Sequence, residues 1–299
     1  MSAAAARGPD APADLVLQAP GLAPEAVDAF RCRFPAAVLH PQAASVRLAG
    51  VGAAAEAAQA IAELARRWRC DATLVPPRLS LSQFRLLAID MDSTLIRIEC
   101  LDELAALAGL GPEVAAITEA AMQGRITDYA QSLRRRVALL AGADASLVQT
   151  VADQRMQLSP GAERLLQAAR AAGLRTLLVT GGFGCFARVL QQRLGLDAVR
   201  ANEIEVDGQR LTGVVRGPDG HPDRLIDAHG KAAALKEACA RFGCSPAQAI
   251  AIGDGANDIP MLALAHLGIA YHAKPKVQES TGYALNHCGL DGVLEWFSD

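Results

Sequence analysis

The sequence predicts an α/β chain in two parts. A small α+β unit comes first, followed by a doubly covered parallel sheet, Rossmann-like in its alternation of strands and helices, that carries an inserted helical cap. Three observations predict this. Residues 13–77 run through short apolar stretches and amphipathic helices in the order β-α-β-β-α-β. From Phe84 onward, short continuous apolar runs alternate with helices, as in parallel strands covered on both faces. Between two of those runs lies a long helical stretch, Leu101–Gln157, too long for a simple crossover. The length of 299 residues agrees with about two domains at roughly 150 residues each.

Element by element, residues 1–12 are rich in Ala, Gly and Pro and read as a loose tail. Asp14–Gln18 is a predicted strand, and Ala23–Arg33 a helix after the Pro20-Gly21 break. Ala37–His40 and Ser45–Leu48 are predicted strands, Ala53–Trp68 a helix, and Ala72–Val75 a last strand. That order is the split β-α-β pattern of a ferredoxin-like unit. Pro76-Pro77 ends it, and residues 78–83 read as a linker to a second domain at 84–299.

In the second part, Leu86–Ile89, Thr176–Val179 and Ala249–Ile252 are the clearest strands. Each stops at a polar or glycine-rich cluster: Asp90-Met91-Asp92-Ser93-Thr94, Thr180-Gly181-Gly182, and Gly253-Asp254-Gly255-Ala256-Asn257-Asp258. In open α/β sheets ligands bind beyond the carboxyl ends of the strands, so the three clusters predict one converging site. The cap, about residues 98–158, carries Leu, Ile and Val at helical spacing, with breaks at Gly109–Gly111 and Gly142.

Composition bounds the function. Hydrophobic residues make up 51% of the chain, yet aromatics only 4%. Much of the remainder is alanine, which favours helix and buries little area, so scattered Leu, Ile and Val must carry the core. A net charge of −3 excludes a whole-protein nucleic-acid footprint. The seven cysteines are scattered with no C-x-x-C, which argues against a disulfide framework or zinc ribbon and fits a reducing cytoplasm. The first residues lack the pattern of a signal peptide, and no apolar run approaches the roughly 20 residues needed to span a bilayer. The six histidines show no metal-ligand pairing.

The acidic clusters suggest the chemistry. In an extended chain residues i and i+2 project to one side, so Asp90 and Asp92 can face one site. Close carboxylates repel unless a proton or cation relieves them, and Asp254 brings a third oxygen ligand. Such an oxygen set suits a hard cation such as Mg²⁺. The Thr180 hydroxyl and the backbone N–H groups of Gly181 and Gly182 can bind phosphate oxygens, with Lys231 at the start of a Lys231–Phe242 helix neutralising them. Each cluster alone is weak: D-x-D can be an acidic turn, T-G-G a plain turn, and a single lysine a solvated surface group.

Taken in order and spacing, D-M-D-S-T-L, T-G-G, a lysine and G-D-G-A-N-D resemble the four motifs of the haloacid-dehalogenase superfamily. Within it the chain resembles the phosphoserine phosphatase family, through Ile98–Glu103, Ala121-Met122-Gln123-Gly124, Ser132–Val137, Ala201-Asn202-Glu203-Ile204 and Gly268–Pro275. The resemblance covers about Leu86 to the C-terminus. It implies a nucleophilic Asp90, an acid/base Asp92, and Mg²⁺ held by Asp90, Asp254 and the Asp92 carbonyl. Asp258 would support the metal shell or position Lys231. Glu99 would face a substrate ammonium and Arg136 its carboxylate, with Met122 and Tyr129 shaping the pocket and Gly182 and Asn257 at its rim. The flanking Arg134 and Arg135 read as solvated. The family commonly has serine where this chain has Thr180; the hydroxyl survives, and the added methyl narrows the site.

The implied activity is hydrolysis of O-phospho-L-serine in serine biosynthesis. Two alternatives are another phosphomonoesterase or phosphotransferase sharing the same nucleophile, and an amino-acid sensor with an inactive core. The β-α-β-β-α-β unit resembles amino-acid-binding ACT domains. Serine binding or homodimerisation through it stands open beside a unit that only aids folding.

Overall fold

The computed structural model describes residues 13–51, 54–123, 125–126 and 128–298, without the side chains of residues 54–56 and 122. The predicted tail 1–12, the first predicted helical residue Ala53 and the family-like Gly124 lie outside the described residues.

The N-terminal unit contains β1 (Asp14–Gln18), α1 (Pro24–Arg33), β2 (Val38–Pro41), β3 (Ser45–Ala49), α2 (Ala54–Trp68) and β4 (Asp71–Val75). Its four strands form an antiparallel sheet in the order β2-β3-β1-β4, the ferredoxin-like arrangement. Alternation explains why all of β1 is buried. Leu15 and Leu17 pack among Phe30, Phe34 and Ile61 of the two helices, whereas Val16 joins Val75, Leu79 and Phe84 against the second part. β2 runs one residue later than the sequence predicts and ends on Pro41, which an edge strand tolerates. In the segment 78–83 that the sequence reads as a linker, Leu79 and Leu81 are buried, and a short 3₁₀ turn fills Leu81–Gln83.

The second part continues with β5 (Leu86–Ile89) and then the cap helices α3 (Cys100–Leu107), α4 (Gly111–Met122), α5 (Tyr129–Leu139) and α6 (Ser146–Gln154). There follow α7 (Ala162–Ala171), β6 (Arg175–Phe183), α8 (Gly184–Leu194), β7 (Ala198–Asp207), β8 (Arg210–Arg216) and α9 (Ala228–Phe242). The chain closes with β9 (Ala249–Gly253), α10 (Ile259–Leu264), β10 (Leu267–Tyr271), α11 (Pro275–Glu279), β11 (Tyr283–Leu285) and a 3₁₀ turn at Leu290–Trp296.

The seven strands lie in the order β11-β10-β9-β5-β6-β7-β8, parallel except for the β7–β8 hairpin. Each apolar run serves both faces. Leu87, Ile89, Ile250 and Ile252 meet α7 and α8, while Leu86, Ala88, Ala249 and Ala251 meet α9 and α10. Ala234 and Ala238, one turn apart on α9, are buried on that second face, so part of the alanine content buys close approach of helix to sheet.

Two predicted boundaries are corrected. β6 does not stop at Val179 but continues through a bulge to Phe183, which pairs with Asn202, so Thr180-Gly181-Gly182 belong to an extended strand rather than a turn. The helix bearing Lys231 begins three residues earlier than expected. The Asp227 carboxylate caps it by accepting the Gly230 N–H at 2.7 Å, which places Lys231 within the first turn rather than at its start. Among the described residues, no helix is long and apolar enough to cross a membrane.

The two parts are joined by buried polar contacts. The Asp71 carboxylate accepts the backbone N–H groups of Asn286, His287 and Cys288 at 2.6, 3.1 and 2.9 Å. Arg47, pairing with Asp14 at 3.2 Å, donates to the Trp296 carbonyl at 2.7 Å. Replacing Asp71 with alanine strands three backbone donors at this junction. We expect Asp71→Ala to lower the unfolding free energy by about 2–4 kcal/mol in denaturant titrations. A loss under about 0.5 kcal/mol would mean that water serves those donors equally well.

Candidate active site

β5, β6 and β9 are adjacent and parallel, so their carboxyl ends open on one edge of the sheet. All three predicted clusters meet there. After β5 the chain makes a tight turn over Met91–Leu95, with Leu95 N–H on the Asp90 carbonyl at 3.2 Å and Ile96 N–H on the Met91 carbonyl at 3.0 Å. Within it Ser93 takes the left-handed conformation, φ 56°, which a small polar residue adopts more readily than a branched one.

Lys231 is the electrostatic centre. Its ammonium is completely buried and donates to Asp90 Oδ1 and Asp258 Oδ1, each at 2.6 Å. Burial works against its charge, but the Asp258 and Asp90 carboxylates outweigh this and raise its pKa. Asp258 is itself completely buried and accepts the Gly255 N–H through Oδ2 at 2.9 Å. That geometry favours the role of positioning Lys231.

Asp90, Asp254 and Asp258 bring carboxylate oxygens within 4.8 Å of one another, a group able to hold a metal ion. Asp254 accepts the Thr94 hydroxyl at 2.8 Å. Burial, followed by the charge of Asp258, pushes Asp90 well above the usual carboxylate range, and burial also raises Asp254. Four carboxylates, counting Asp92, thus surround one ammonium. The donor set is all oxygen and short of positive charge, which fits a hard divalent cation.

Asp92 faces the same space. Its Oδ1 accepts the Cys100 N–H at 2.9 Å, and its Oδ2 lies 3.4 Å from Thr180 Oγ1. Burial raises its pKa against the lowering effect of the Cys100 N–H. The glycines after Thr180 are required by space. A Cβ on Gly181 would overlap the Tyr129 hydroxyl, and one on Gly182 would stand 2.6 Å from Asp92 Oδ2. The Gly182 N–H itself is held by Thr180 Oγ1 at 2.8 Å.

The cap residues divide. Glu99 accepts the Ser93 hydroxyl at 2.7 Å, and desolvation together with the Asp92 charge pushes its carboxyl up to about 7. Tyr129 reaches Gly181 from the cap, and burial pushes its phenol up to about 12, so it is neutral. Arg136 has its Nε buried without a hydrogen-bond partner, whereas Arg134 and Arg135 are exposed as expected. Asn257 is half-buried beside Gly255. The side chain of Met122 lies outside the described residues.

Sequence reasoning missed Thr94 and gave Asn202 no role. Thr94 follows Asp90 by four residues in the tight turn, which returns its hydroxyl to the site. Asn202 is completely buried in β7, and an asparagine inside a strand was the available signal.

The sequence profile of the haloacid dehalogenase-like hydrolases matches residues 87–263. A phosphoserine phosphatase from Polaromonas sp. is 52% identical over 220 residues, 73% of this chain and 92% of that protein. The crystal structure of a HAD-family hydrolase from Salmonella enterica serovar Typhi superposes with a TM-score of 0.83 at 30% identity, covering 96% of this chain and 99% of the other. A probable phosphoserine phosphatase from Vibrio cholerae superposes with a TM-score of 0.79 at 32% identity, covering 96% and 86% of the two chains. With a matching profile, a matching fold and motifs that meet at one sheet edge, the chain belongs to the haloacid dehalogenase-like hydrolases.

Proposed function

We propose that the protein is a phosphoserine phosphatase, hydrolysing O-phospho-L-serine to L-serine and phosphate. The observation that carries the reaction class is the pair of carboxylates two residues apart, Asp90 on the buried Lys231 and Asp92 with Oδ2 turned into the site. The substrate is supported by the 52% identity to a phosphoserine phosphatase and by Glu99 and Arg136 in the cap.

In this reading Asp90 attacks phosphorus in line, the P–O bond to the serine oxygen breaks, and an aspartyl-phosphate forms. Lys231 holds Oδ1, which leaves Oδ2 to attack. Asp92, whose carboxyl burial holds above its ordinary range, gives a proton to the departing serine oxygen. It then accepts a proton from the water that hydrolyses the intermediate, help typically worth about 10²–10⁴-fold. Thr180, Gly181 and Lys231 cradle the transferring oxygens, with Gly182 at the rim and its N–H held by Thr180 Oγ1. When bound by Asp90, Asp254 and the Asp92 carbonyl, Mg²⁺ would offset the negative charge of site and phosphate and keep Asp90 ionised. The unpartnered Arg136 Nε suits the substrate carboxylate, Glu99 its ammonium, and Asn257 and Met122 the pocket wall.

A panel of phosphomonoesters tests this. With Mg²⁺, phosphate release is expected to be fastest from O-phospho-L-serine and lost on chelation or in Asp90→Asn. Faster release from sugar phosphates would assign a different substrate, and a fully active Asp90→Asn would end the covalent mechanism.

Glu99 gives the reaction a pH dependence with a definite sign. Partial desolvation and the Asp92 charge push its carboxyl up to about 7 although the residue stays open to solvent, and the ionised form, which attracts the ammonium, is favoured as pH rises. KM for phosphoserine is therefore expected to rise as pH falls from about 8 to about 6. Glu99→Gln should raise KM by about 10- to 100-fold at pH 8 and flatten this dependence. Equal KM values for wild type across that range would remove Glu99 from ammonium recognition.

For the N-terminal part we propose a separate ACT-like domain at about residues 13–77, supported by its own sheet and helix-packed core. Serine binding and homodimerisation are assigned to it on its resemblance alone. Removing residues 1–80 should change serine sensitivity or oligomeric state; no change in either would dismiss both roles.

A further inference from the structure

Asn202 connects two parts of the site that are remote in sequence. Its side chain is completely buried, and an amide in that position costs stability unless both of its ends are bonded. Nδ2 donates to the Gly181 carbonyl at 2.8 Å, and Oδ1 accepts the Ile226 N–H at 2.7 Å. Ile226 immediately precedes Asp227, the cap of the helix that carries Lys231. One amide therefore ties the bulged end of β6 to the first turn of α9.

The Gly181 carbonyl and the Gly182 N–H belong to one planar peptide and point in opposite directions. Holding the carbonyl on Asn202 turns the N–H the other way, onto Thr180 Oγ1 at 2.8 Å. With that N–H occupying a lone pair of Oγ1, the Thr180 hydroxyl proton is left to point toward Asp92 Oδ2, 3.4 Å away. The hydrogen bonds run without a gap from Ile226 through Asn202, the Gly181–Gly182 peptide and Thr180 to Asp92. A residue offering only a donor or only an acceptor could not span the first two links.

We propose that Asn202 is a positioning residue for phosphoryl transfer: it fixes the Gly181–Gly182 peptide, and through it the Thr180 hydroxyl, relative to Asp92 and Lys231. The role rests on the phosphatase reading above and touches neither substrate nor reacting atoms.

The test is a double-mutant cycle on the full chain with phosphoserine and Mg²⁺. Asn202→Asp keeps an acceptor for Ile226 and loses the donor to Gly181. Asn202→Ser, smaller and neutral, serves where a buried charge prevents folding, and thermal melting establishes which variants are folded. Folded variants are expected to lose about 10- to 100-fold in kcat with KM changed less than about threefold, the pattern of misplaced groups rather than weakened binding. In a Thr180→Ala background the same substitutions should cost less than about threefold, because the end of the relay is already gone. Multiplicative losses across the cycle, or a lowered melting temperature with kcat unchanged, would make Asn202 a structural residue only. Wild-type turnover of phosphoserine is read separately, so failure of the substrate assignment and failure of the Asn202 role give different results.

Discussion

A lysine ammonium with no access to water is the constraint around which the rest of this structure is arranged. Lys231 can stay charged in the interior only because Asp90 and Asp258 both accept from it at 2.6 Å. Those contacts clamp three segments that are far apart in sequence: the end of β5, the first turn of α9 and the loop after β9. Space enforces the same arrangement, since a Cβ on Gly253 would overlap the Asp258 carboxylate. Removing Lys231 would leave two buried carboxylates without their cation, so the three segments depend together on one ammonium.

The clamp also sets the electrostatic character of its surroundings. One ammonium answers two carboxylates, and Asp92 and Asp254 add two more with hydrogen bonds but no cation. Burial raises the pKa of Asp90, Asp92 and Asp254 alike. A site built this way is poised to receive positive charge from outside. The protein's modest net charge of −3 says nothing of this, because the acidity is confined to the edge of one sheet.

Much of the fold was legible because its signals are local. β1 and β5 lie where their apolar runs stand in the sequence, and in the cap Gly109 and Gly142 fall between helices while Gly111 opens α4. The acidic cluster was legible for a different reason: three short motifs at strand ends, with a lysine between them in sequence, constrain one another. What escaped depended on contacts across the chain. Nothing near Thr180 shows that β6 runs on to pair with Asn202, because the bulge is defined by the partner strand. The start of α9 was misread because Asp227 acts as a cap only once the chain has turned there. Residues 78–83 read as a linker, and two of them, Leu79 and Leu81, are part of the core that the two units share.

Asp71 has a bearing on how the chain assembles. Its three backbone donors lie at residues 286–288, and Arg47 finds its carbonyl partner at Trp296. The N-terminal unit is synthesised first, and such units generally fold as they emerge. Its docking surface, however, is completed by a segment made more than two hundred residues later. During synthesis the face around Val16 and Asp71 lacks these partners until the second sheet has been made. The junction can form only once residues 286–296 have been made, so it ties together segments that leave synthesis far apart in time.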